Sequence, residues 1–115
     1  MMGALASKGT MHNGRLHQNI ADLASLLPPR LTVIDGIVAG AGHETRGRPL
    51  PMNLVIAGVD PVATDAVGAA VMGIHPSTVQ HLRYAAQKGL GILDLEGIQV
   101  LGEPIEQVRQ RFSRA

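Results

Sequence analysis

Leu54-Val-Ile-Ala-Gly-Val-Asp-Pro-Val-Ala-Thr-Asp-Ala66 is the stretch that decides the fold. Its first six residues are apolar almost without interruption, the pattern of a strand covered on both faces. Asp60-Pro61 then opens a helix, because an aspartate at the N-cap accepts from an orphan backbone N–H and proline's missing N–H costs nothing in the first turn. The helix is rich in small residues and runs to Met72. Gly73 can take the left-handed conformation of a C-terminal cap, with Ile74 folding back behind it.

Upstream, Leu31-Thr-Val-Ile-Asp-Gly-Ile-Val38 repeats the buried-strand pattern. Residues 39–52 between the two strands carry Gly40, Gly42, Gly47, Pro49 and Pro51 without a helical period, which predicts a long glycine-rich loop. Earlier still, Leu16, Ile20, Leu23 and Leu27 form one helical stripe, with Asn13 as its cap and Pro28-Pro29 as its stop. Downstream, Ser77-Thr-Val-Gln80 fits a capping box for a helix through Val79, Leu82 and Ala86 that ends at Gly89-Leu90. Residues 97–101 read as a third strand. A last helix should carry Ile105, Val108 and Phe112 on one face, with Arg109, Arg111 and Arg114 complementing its dipole.

The fold class expected is α/β or α+β: a small mixed sheet of about three strands, flanked on both faces by about four helices. Two doubly buried strands need more neighbours than such a sheet provides. Residues 1–115 therefore read as a single domain that is an incomplete portion of a larger one, and the isolated chain is expected to self-associate or to be marginally stable.

The 115 residues are 45% hydrophobic and 17% charged, with a mean hydropathy of +0.15, a balance that suits a folded core rather than disorder. Ten Lys and Arg stand against nine Asp and Glu, so no global field draws in nucleic acid or an anionic membrane. One Tyr, one Phe and no Trp leave almost nothing for bases to stack on. The start, Met1-Met-Gly-Ala-Leu-Ala-Ser-Lys8, lacks the basic and apolar segments of a signal peptide, which points to the cytoplasm. No apolar run reaches membrane-spanning length. Without cysteine the chain can ligate no iron–sulfur cluster through thiolate and form no disulfide.

Gly40-Ala-Gly-His-Glu-Thr45 begins like a dinucleotide fingerprint but has Thr at the third glycine and no helix after it. A phosphate-loop reading fails too, since Arg48-Pro49 stands where Lys and Ser or Thr would touch phosphate and magnesium. What remains is a loop whose backbone N–H groups, around Gly40, Gly42 and Gly47, and whose Arg46 and Arg48 could cradle a carboxylate or phosphate, or simply be solvated. Asp35 and Asp60 fall near strand ends, where ligands of α/β folds collect. For Asp60 the helix cap is the stronger account. Asp65 stands among Ala, Val and Gly, where a carboxylate must face solvent or be paired. His12, His17 and His43 could contribute to a divalent-metal site, although no spacing fixes two of them on one helical face. His75 and His81 read as helix-flanking or surface residues. No nucleophile with its base is legible, so the residues name no reaction.

The order of motifs is more specific than any one of them. Met1-Met-Gly3, Leu16-His-Gln-Asn-Ile-Ala-Asp-Leu23, Leu31-Thr-Val-Ile-Asp-Gly36, the loop through Pro51, Ile56-Ala-Gly-Val-Asp-Pro-Val-Ala-Thr-Asp-Ala66, Met72-Gly73, Gly89-Leu-Gly91 and Val100-Leu-Gly-Glu103 follow in sequence. In this the chain resembles the C-terminal part of the uncharacterised family called domain of unknown function 362. The resemblance implies a longer parent domain in which Met1-Met-Gly3 lies mid-domain, behind a strand ending in Lys-Asn. It also implies relatives associated with redox chemistry, many carrying ferredoxin-like four-iron clusters outside this domain. His43-Glu44 departs from the pattern, since a Gly-Pro pair is common there, and this puts ligand contacts of the loop in doubt.

The functional expectation is a small anionic ligand or a metal bound at the strand ends by Asp35, Gly40, Gly42, Arg46, Gly47, Asp60 and Asp65, with His12, His17 or His43 as further ligands or proton carriers. The alternative is a non-catalytic structural or docking module that completes a larger redox protein, its partner being a missing N-terminal portion, a second subunit or another copy. One cleft uniting Asp35, residues 40–47 and residues 60–65 requires neighbouring parallel strands; antiparallel pairing would divide it.

Overall fold

The structure is a computed structural model that describes residues 15–41 and 48–110. Helix α1 spans Leu16–Leu26, strands β1 and β2 span Thr32–Ala41 and Arg48–Gly58, and helix α2 spans Pro61–Val71. A short 3-10 turn at Pro76–Thr78 precedes helix α3, Gln80–Gln87; a second, Leu95–Gly97, precedes the single-turn helix α4, Ile105–Val108. The class is the mixed α and β arrangement expected.

The sheet differs. It is a two-stranded antiparallel hairpin rather than a mixed sheet, with Thr32 opposite Gly58 and Ala41 opposite Arg48. Much of the expected loop is strand: residues 39–41 and 48–52 extend the ladder, and residues 42–47 lie outside the described residues. Pro49 and Pro51 do not forbid this, because an edge strand can turn a proline nitrogen outward. The register slips between Gly36 and Val38. The extra residue lies on β2, where Asn53 has φ of 52°, a conformation asparagine tolerates better than most residues.

Residues 97–101 do not form the third strand. Asp94 Oδ1 accepts from the N–H of Glu96 at 3.1 Å and winds the chain into the 3-10 turn, after which it runs on without a strand partner, Leu101 being 82% exposed. The helices also cover one face of the hairpin, not both. Leu50, Met52, Leu54 and Ile56 turn inward, whereas Val33, Ile37 and Val55 are 58%, 53% and 58% exposed on the outer face.

The expected helix signals divide in the same way. Asp60 caps α2 and Pro61 opens it. Gly73 and Gly89, with φ of 77° and 78°, end α2 and α3. The N–H of Ile74 reaches Ala69 O at 2.9 Å and that of Leu90 reaches Ala85 O at 3.1 Å, both the six-to-one bond of a Schellman cap. The capping box at Ser77 is not formed. His75 caps the 3-10 turn instead, its Nδ1 accepting from the N–H of Ser77 at 3.3 Å, and α3 starts at Gln80 without a side-chain cap. Arg15 is the N-cap of α1, while Asn13 lies outside the described residues, as do Arg111, Phe112 and Arg114. The core joins Ala21 of α1, Val62 of α2 and Ala85 of α3, with Tyr84, Leu90 and Leu93 packed against them.

Candidate functional site

Asp60 is consumed by structure at both oxygens. Its Oδ1 accepts from the N–H of Ala63 at 2.9 Å and its Oδ2 from the N–H of Ile92 at 3.0 Å. The hydroxyl of Thr64 donates to the Asp60 carbonyl at 2.7 Å. Glycines let this junction close: a Cβ on Gly91 would fall on the Asp60 carboxylate, and one on Gly58 would fall on the Thr64 hydroxyl. Together these residues pin the end of β2, the start of α2 and the segment at 91–92. Asp60 borders an open concavity of about 810 Å³ with Val55, Val67, Ile98 and Ile105.

A second groove of about 510 Å³ lies between the inner face of the hairpin, α2 and α3. Ile34, Leu54, Ile56, Met72, Val79 and Leu82 make it apolar. Asp35, Gly40 and Asp65 border it, together with His81. The antiparallel hairpin thus divides the expected cleft: Asp60 is left at the other end, near the Thr32–Gly58 pair. Asp35 is exposed, and its Oδ1 accepts from the N–H of Ile37 at 3.0 Å, which steadies the bulge.

Asp65 is the exposed residue in a run of buried ones on α2. Burial of its carboxyl pushes its pKa up, and the charge of His81 pulls it partly back. Burial pushes the His81 imidazole down, His17 lowers it further, and Asp65 opposes both. His17 on α1 meets His81 directly: their Nδ1 atoms are 3.1 Å apart, with ring centroids at 5.3 Å and planes 9° from parallel. At that separation one Nδ1 carries the hydrogen and the other accepts it.

The reading of His81 as a surface residue is corrected by this geometry. The signal was present: His17 and His81 each stand four residues before a buried core alanine, Ala21 and Ala85, and so lie on the packed stripe of their helices. Arg83 beside His81 is exposed on another face.

Gly42, Arg46, Gly47, His12 and His43 fall outside the described residues. Among the described residues no three His, Asp or Glu side chains gather where they could hold a metal ion. With no cysteine in the chain, the donor set does not fit an iron–sulfur cluster. No helix among the described residues is long and apolar enough to cross a membrane.

A family model described as Domain of unknown function (DUF362) matches residues 1–70, from before α1 to near the end of α2. No curated protein and no solved structure matches the chain.

Proposed function

The chain belongs to the DUF362 family, and we propose that within it this domain is a ligand-binding module whose groove takes a small acid with an apolar body. The apolar walls take the body and the His81 imidazole, with Asp65 beside it, meets the acid group. One observation carries this reading: an apolar groove holds two ionisable side chains on its wall, Asp65 and His81, with His81 backed by His17 at 3.1 Å, a convergence of polar groups on an apolar cavity that marks ligand sites. The redox setting belongs to the same proposal: a cytoplasmic module working beside a cluster-bearing partner and holding no cluster itself. Titration calorimetry with octanoate tests the binding. Saturable one-to-one heat that Leu82→Arg abolishes is expected; no saturable heat overturns the reading.

A second reading, a docking module, is favoured by the bare outer face of the hairpin. β1 contains no proline, whereas β2 contains Pro49 and Pro51, so β1 offers the better-supplied hydrogen-bonding edge. The occupant would be an extended strand from the remainder of a larger DUF362 domain, laid along β1.

A further inference from the structure

We infer that the groove takes up its acid together with a proton, which the His17–His81 pair stores, so that the ligand class is a monoanionic carboxylate bound as a carboxylate–imidazolium pair. This rests on the ligand-binding reading above and adds the proton to it.

Both Nδ1 atoms are spent on each other at 3.1 Å, and one hydrogen sits between them. His81 lines the groove and His17 does not, so Nε2 is the nitrogen that His81 has left for a ligand, and His17 joins the pair to the half-exposed surface of α1. Among the described residues, two carboxylates border the groove that His81 lines. Asp65 comes from α2, and Asp35 from β1 borders the same groove. On the same two helices Arg15 and Arg83 are exposed to solvent, and Lys88 pairs with Asp22 at 2.7 Å.

The proton balance is then explicit. A proton from solvent binds the free Nε2 of His17 while His17 Nδ1–H donates to His81 Nδ1. The Nδ1 hydrogen crosses to His81, which leaves His17 neutral with its hydrogen on Nε2 and makes His81 an imidazolium. His81 Nε2–H now donates to the carboxylate of the ligand, and its Nδ1–H donates back to His17. One proton enters and no electron moves. Without the anion, burial opposes that imidazolium and Asp65 offsets this only in part; the anion adds a second counter-charge, hydrogen-bonded to Nε2. Asp65 faces the same imidazolium and shares it.

Titration calorimetry of the full chain with octanoate near neutral pH, run in buffers of different ionisation enthalpy such as Mops and Tris, counts protons directly. Uptake of about one proton per octanoate is expected for the wild type. In His17→Phe the uptake should fall to less than about half while octanoate still binds, roughly tenfold more weakly, because the imidazolium loses its Nδ1 acceptor. Octanoate binding without proton uptake overturns this inference and leaves the ligand-binding reading standing; absence of octanoate binding overturns both. Should His17→Phe fail to fold, ¹⁵N spectra of the wild-type histidines decide: one ring with hydrogen on Nδ1 before octanoate, and a doubly protonated His81 after it, support the inference. Two Nε2–H tautomers that octanoate leaves unchanged contradict it.

Discussion

Nδ1 of His17 on α1 lies 3.1 Å from Nδ1 of His81 on α3, a spacing that accommodates one hydrogen and is repelled apart by two. The pair keeps that one hydrogen when it takes up a first proton, and it is the burial of His81 that makes the contact sensitive to acid. The folded-state pKa of His81 lies below its ordinary value of 6.5, so the unfolded chain binds this proton more readily. Stability attributable to His81 is therefore present above about pH 6.5 and is lost as pH falls below it towards the lowered folded value. Urea unfolding from pH 8 to pH 5 should show this loss in the wild type, and His81→Leu should remove most of it.

Asp65 has the opposite sign. Its folded pKa is raised above 3.8 by burial, so the charged form is disfavoured in the fold at neutral pH, and that penalty disappears as pH falls through the raised value towards 3.8. Asp65→Asn is expected to stabilise the chain near pH 8 and to lose the advantage near pH 4. Denaturant midpoints at the two pH values check it; a destabilised variant near pH 8 would contradict the burial penalty on the Asp65 carboxylate.

Asp60→Ala should cost about 2–4 kcal/mol, because it removes a helix cap and also leaves the N–H of Ile92 without its charged acceptor. Gly91→Ala places a Cβ on the same carboxylate and should cost about 1–3 kcal/mol by overpacking. The two losses should not add. A double-mutant cycle in urea is expected to give a coupling of about 0.5–3 kcal/mol; additivity would show that the junction is not closed by this contact.

The signals that were legible in the sequence are the local ones. Asp60-Pro61, Gly73-Ile74 and Gly89-Leu90 act within one helical turn, and each does in the structure what its chemistry dictates. Strand pairing is not local, so apolar character at Leu31–Val38 and Leu54–Val59 could not distinguish parallel from antiparallel neighbours, and that choice moved Asp60 away from Asp35. The doubly apolar pattern was nevertheless informative, since it recorded a hairpin face that nothing among the described residues covers. His81 was missed because Arg83 drew attention to the wet side of α3 while the four-residue step to Ala85 marked the packed one.

The outer hairpin face offers its own check. Val33→Thr and Val55→Thr together should leave stability within about 0.5 kcal/mol of wild type per site, since both side chains are already exposed. Sedimentation should show less concentration-dependent association in the double variant. A large loss of stability with unchanged association would remove the support for the docking reading.

Methyl and histidine NMR spectra of the chain titrated with octanoate report whether the groove is where the acid binds. The account predicts saturable shifts confined to the groove, at Ile34, Leu54, Ile56, Leu82 and the His81 ring, with Val33 and Val55 on the outer face unmoved. Shifts at Val33 and Val55 with the groove methyls and His81 silent would contradict it.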